Sequence, residues 1–230
     1  ADAIEAAAGL LDADSPLVTL LDKNYGEAVR DRVAQHVLDG IGKGLNPRRI
    51  ALLLNKNFQN SLGNGLSWAM TTVRTAQIKS YQLAQHATYQ ANADIVPQWI
   101  WHAQLDSRTC ASCIAQHGSV HPVTERLNDH HNGRCTAVPQ TISYAALGLN
   151  IKEKREPVQR GEDWFKKQSA GVQRQIMGGP MHKAWEAGEV KFGDLSRAED
   201  DPIYGELLRQ ASLKDVLGAG AKKFYQKKGD

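Results

Sequence analysis

Apolar positions recur at helical spacing through residues 1–95. Between Asn24 and Leu38 they fall at Ala28, Val29, Val33, Val37 and Leu38, which predicts a helix. Gly40, Gly42 and Gly44 are expected to stop it. Asn46-Pro47 then opens a second helix, with Asn as the N-cap and Pro at the first helical position. Ile50, Leu53, Leu54 and Phe58 give it an apolar stripe, and Gly63 and Gly65 are expected to end it. A long third helix is predicted from Leu66 to Gln90. Val73, Gln77, Ile78, Tyr81, Gln85 and Thr88 lie along it, so its face is only partly apolar. Its only Lys or Arg residues are Arg74 and Lys79, and Trp68, Met70, Tyr81 and Tyr89 sit among Gln, Thr and Ser. That composition suits the centre of a protein interface. Burial by the helices of residues 24–60 accounts for it equally well.

The period then shortens. Trp99-Ile100-Trp101-His102-Ala103 alternates as a short strand with the aromatics on one face, and Thr136-Ala137-Val138 reads as a second, ended by Pro139. Residues 151–160 are charged and aperiodic, as in a linker. Residues 161–217 read as broken helices with stops at Gly178, Gly179, Pro180 and Gly188. Lys222 to Asp230 form a basic tail expected to be weakly ordered. The expected fold is mainly α with a small central β-hairpin zinc-binding module, an α+β arrangement. It divides into a helical arm (1–95), the hairpin module (96–145) and a linker with a broken helical C-terminal region and basic tail (146–230).

Composition changes this picture little. With 41% apolar and 23% charged residues, the 230-residue chain is neither disordered nor collagen-like. Its longest aliphatic run, Ile50 to Leu54, is far too short to span a membrane, and no membrane contact is expected. Asp2 and Glu5 near the start are unlike a signal peptide. The absence of an initial Met fits a processed chain or a fragment. A net charge of +3 permits nucleic-acid contact without requiring it. Two basic groups stand out: Lys222, Lys223, Lys227 and Lys228, and Arg155, Arg160, Lys166 and Lys167.

Cysteine placement matters more. Three Cys exclude a fully paired disulfide framework, and all three lie between positions 102 and 135 with five of the eight His. Cys110 and Cys113 form a C-x2-C knuckle, and His130 and Cys135 follow, with the turn-forming Asn132-Gly133 between them. Three thiolates and one imidazole make a closed Cys3His shell, so the expected cofactor is a structural zinc ion on Cys110, Cys113, His130 and Cys135. A redox pair and inert burial remain alternatives, the first without a thioredoxin-like strand-to-helix context. His131 also has acceptable spacing to Cys135, and His117 and His121 compete. Asp129-His130-His131 resembles the start of an HNH-type nuclease site, but only Asn150 stands near as a further ligand. No enzyme is expected.

The segments LDSRTCASCIAQHGSVHP and HHNGRCTAVP resemble the signature of the phage Mu F-type minor head proteins, also called phage head morphogenesis proteins. Asp106, Arg108, Thr109, Cys110, Cys113, Gly118, His130, Asn132, Arg134 and Cys135 match it. Arg74 and Thr75 are similar to the family's Arg-Thr-Glu helix, and DWFKKQSAGVQRQIMGGPMHKAWEAGEVKFGDL resembles a downstream family segment, so that the likeness covers about residues 45–195. Ala76, His131 and Gly133 stand where the family has Glu, Pro and Cys. The resemblance implies a minor capsid component of a tailed phage, found in the virion head and in the host cytoplasm during assembly. Its expected partners are the portal or major capsid protein, with packaged double-stranded DNA as a non-specific contact. The role that the resemblance implies is head assembly, DNA packaging or ejection. A zinc-module DNA-binding protein and an HNH-like metal-dependent nuclease are the alternatives.

Overall fold

Asn46 accepts a hydrogen bond from the Arg49 amide at 2.9 Å, and the helix that it caps runs Pro47–Asn57. This is the second of three helices, α1 (Glu27–Gly42), α2 (Pro47–Asn57) and α3 (Gly65–Ala91), in a computed structural model of the protein. The structure describes residues 18, 22, 27–57, 65–154, 156–201 and 205–225. The chain forms two compact units: residues 1–92 with 130–133 and 200–205, and residues 93–129 with 134–199 and 206–230.

In the first unit, α1 runs past Gly40 and ends at Gly42, within the run of three glycines expected to stop it. A Cβ at Gly40 would lie 2.5 Å from Ile50 Cγ1, so glycine here serves close packing of α1 on α2. The chain leaves the helix at Gly44, whose φ of +65° needs a residue without a Cβ. Val33, Ala34, Val37, Ile50, Leu54, Val73 and Ala76 form the core of this unit. The larger of these side chains each contribute about 1.5–3 kcal/mol on burial. Val73 and Ala76 are thus covered by α1 and α2, which explains part of the low charge of α3. Tyr81, by contrast, is 60% exposed. Phe58 and Gly63 lie outside the described residues, as does the side chain of Trp68.

The second unit begins with β1 (Gln98–His102), the centre of an antiparallel sheet between β2 (Val120–Pro122) and β3 (Thr136–Gln140). Trp99 pairs with His121 and Pro139, and Trp101 with Ala137. Strand alternation sends both tryptophans into the core, where they are 1% and 2% exposed. His121 stacks on Trp99 with centroids 4.4 Å apart and receives a second hold from Glu125 at 3.0 Å.

The knuckle helix α4 (Ala111–Gln116) turns Ala111 and Ile114 into a core shared with α5 (Gly161–Lys166), α6 (Ala170–Met177) and α7 (Gly179–Glu186). Phe165, Ile176, Met177, Met181 and Ala184 are part of that packing, with Phe192, Leu195 and Leu213 from further along the chain. Gly161 sits so close to α4 that an added Cβ would be 1.8 Å from the Ile114 carbonyl oxygen. The small hairpins therefore do not stand alone.

The C-terminal region departs from the expected run of broken helices. Ser196–Asp201 (β4) and Gly205–Gln210 (β5) form a two-stranded sheet. The polar sequence of β4 has no apolar alternation that could mark it, and only pairing with β5 makes it a strand. Helix α8 (Leu213–Leu217) follows, opened by a reciprocal cap between Ser212 and Asp215. The expected loose tail is instead a helical turn at its start: α9 spans Lys222–Tyr225, and Lys223 bonds Glu189 at 2.6 Å. Lys227 and Lys228 lie outside the described residues. No helix among the described residues is long and apolar enough to cross a membrane.

Candidate metal centre

The C-x2-C spacing has a local structural cause. Cys110 is the N-cap of α4, extended at φ −68° and ψ 156°, and its sulfur accepts a bond from the Cys113 amide at 3.4 Å. An N-cap side chain and the third helical residue lie on the same side of the first turn, so the two thiols converge. The strand-to-helix context that the sequence did not suggest is thus present in part, since β1 precedes this helix. The sheet is antiparallel, however, unlike the parallel unit of a thioredoxin fold.

Cys135 immediately precedes β3 and completes a group of three thiols. The Cys113 thiol is driven far above its ordinary pKa by bonds to Cys110 and Cys135, and then by burial. Cys113 and Cys135 are 4% and 5% exposed, and all three thiols are reduced. Cys113 lies against both other thiols, and with two of the three buried they cannot all be ionised without a compensating cation. A soft divalent ion with tetrahedral preference fits that donor set.

His130 belongs to the four-residue segment 130–133 that groups with the helical unit. Its Nδ1 lies 2.8 Å from the His131 carbonyl oxygen. A carbonyl only accepts, so Nδ1 carries the proton and Nε2 the lone pair, the tautomer that a metal-ligating His adopts. Asn132, at φ +57°, shapes this segment. Its amide donates to Thr75 Oγ1 at 3.1 Å, and its side-chain amide donates to Thr71 Oγ1 at 3.4 Å. His131, the competing ligand, lies 3.5 Å from Asp201.

The other histidines have different roles. His117 is buried, and its Nδ1 accepts the Ala103 amide proton at 3.0 Å. Burial, then the neighbouring His102 charge, hold its pKa below the ordinary value. Asn150 is exposed, and no helix follows β3 before Gly161 among the described residues, so the nuclease reading gains no further ligand.

A polar clamp flanks the thiols. Arg134 donates to both carboxylate oxygens of Asp106 at 2.8 Å and to Thr109 Oγ1 at 2.9 Å. Asp106 also accepts the Arg108 amide at 2.9 Å, and the Thr109 hydroxyl donates to the Gln104 carbonyl. Bonding to Arg134 holds the Asp106 carboxyl well below the usual carboxylate range. These residues stand out in the sequence only as matches to a motif, without a role. The signal was their position, since Thr109 and Arg134 each stand one residue before a cysteine.

The basic groups are partly spoken for. Arg160 donates to the Gly118 carbonyl at 2.7 Å, and Lys166 pairs with Glu162 at 2.8 Å. Arg155 lies outside the described residues.

The described residues form helices and small antiparallel sheets, an α+β arrangement. Residues 31–138 match the family described as phage Mu protein F like protein. This segment is similar to that family. The match starts earlier than the motif resemblance and ends before the downstream segment of residues 163–195. The chain is similar to the Mu-like prophage FluMu F protein of Haemophilus influenzae, at 31% identity over 87 residues. That alignment takes in 36% of this chain and 21% of the relative, so it spans about a fifth of the relative's length. No solved structure matches.

Proposed function

We propose that the chain is a head morphogenesis protein of a tailed phage, without enzymatic activity, built around a structural zinc site. The observation that carries this reading is the convergence of Cys110, Cys113 and Cys135 inside the family-matched segment. His130 is the proposed fourth ligand, on its spacing and the lone pair on Nε2. Zinc supplies a four-way cross-link between loops, and its binding energy is folding energy. The protein residues do the rest: α4 sets the first thiol pair, β3 delivers the third, and the Asp106–Arg134 clamp ties the two segments together.

The proposed site of action is the virion head and, during assembly, the host cytoplasm. The proposed partners are the portal or major capsid protein, with packaged double-stranded DNA as a weak, sequence-independent contact. Helix α3 supports a docking role through Tyr81, exposed among few charges. The test is head incorporation. Mass spectrometry of purified heads should find the wild-type chain at fixed copy number, and Tyr81→Lys should reduce it while leaving the far-UV spectrum and metal content intact. Heads that lack the wild-type chain would refute the assignment, and normal incorporation of the variant would remove α3 as the docking surface.

A further inference from the structure

The three cysteines come from two segments distant in sequence, the turn of residues 110–113 and the start of β3. A tetrahedral site needs their sulfurs placed to within a few tenths of an ångström. Backbone pairing cannot do this alone, because Cys110 and Cys135 both lie in irregular chain just outside α4 and β3.

Side chains next to the cysteines bridge the gap. Thr109 precedes Cys110 and Arg134 precedes Cys135, and Arg134 Nη2 reaches Thr109 Oγ1 at 2.9 Å. Asp106 closes the arrangement: it receives both ends of the Arg134 fork at 2.8 Å, and Thr109 Oγ1 lies 3.1 Å from it. The Arg108 amide fixes the carboxylate from a third side at 2.9 Å. A planar guanidinium gripping a carboxylate through two parallel bonds fixes direction as well as distance, which a lysine cannot do. The Arg134 and Asp106 side chains are each 27% exposed, so the pair sits at the edge of the buried thiols.

We infer that Arg134 is the positioning residue of the metal site, locking Cys135 in register with Cys110 and Cys113 through Asp106 and Thr109. This rests on the zinc reading proposed above. It gives the Asp-x-Arg-Thr-Cys and Arg-Cys segments of this chain a common purpose, in which the polar residues hold a preformed cradle and the cysteines fill it.

Cobalt substitution and metal release test the idea. Wild-type protein loaded with Co²⁺ should give intense tetrahedral thiolate bands, and zinc should pass to a chelating dye slowly. Arg134→Lys keeps the charge and loses the fork. It should still bind one metal, with shifted, weakened cobalt bands and release faster by about 10–100-fold, the usual cost of losing an outer-shell partner. Asp106→Asn should behave alike, and Thr109→Val, which keeps the fork, should fall between. Arg108→Ala, whose exposed guanidinium only brushes Asp106 at 3.3 Å, should match wild type. If Arg134→Lys does not fold, Thr109→Val and Asp106→Asn carry the same test. Wild-type cobalt spectra and release rates in Arg134→Lys and Asp106→Asn would overturn the positioning role and leave the zinc site standing. Wild-type protein that takes up no cobalt or zinc would overturn the zinc reading itself.

Discussion

Single side chains decide whether the knuckle holds. Cys110 caps α4 and supplies a sulfur to the group, so Cys110→Ser should abolish metal retention and loosen the sheet of residues 98–140. Near-UV circular dichroism, dominated there by buried Trp99 and Trp101, should lose its fine structure, while most far-UV helical signal remains. Asp106 makes a second case. Its pKa is lowered on folding, so its contribution is full above the unfolded-state value, about 3.9, and disappears as pH falls through the folded value below it. In metal-free protein, the stability gap between wild type and Asp106→Asn should be widest near neutrality and close in acid below about pH 4. A gap that stays constant into strong acid would contradict the ion pair. At this scale the cysteines were legible from spacing, because the N-cap and third helical positions impose C-x2-C. The clamp was not, because Asp106 and Arg134 are far apart in sequence and only the fold brings them together.

Elements followed local rules where local energy dominates. The Asn46-Pro47 start of α2 and the alternation of β1 were readable because capping and side-chain period act over a few residues. Asn46→Ala should cost about 1 kcal/mol in thermal unfolding. The glycine run ends α1 at Gly42, while Gly40 within it is kept for contact with Ile50, a role that sequence does not distinguish from a stop. β4 and β5 escaped notice because pairing rather than pattern makes them. The approach of α5 to α4 is equally invisible in sequence and gives a sharp prediction. Gly161→Ala would drive a methyl into the Ile114 carbonyl and should destabilise the second unit by about 3 kcal/mol, the upper range for overpacking. Gly179→Ala, at the start of α7 with open space around it, should stay within about 1 kcal/mol of wild type. Equal melting temperatures for the two variants would show that α4 and α5 do not pack as described.

On the scale of the whole molecule, the proposed function rests on a structural staple rather than on a reactive centre. Plasmid DNA incubated with the protein and Mg²⁺ or Mn²⁺ should remain intact, and cleavage that His131→Ala abolishes would promote the nuclease alternative. Any DNA binding should fall steeply with salt, as phosphate contacts release counterions. The central claim is that three thiols and one imidazole hold a metal ion that supports the second unit. Elemental analysis of protein purified without chelator tests it most directly. One zinc per chain is expected, lost in Cys110→Ser, and well-folded protein with no bound metal would contradict the claim.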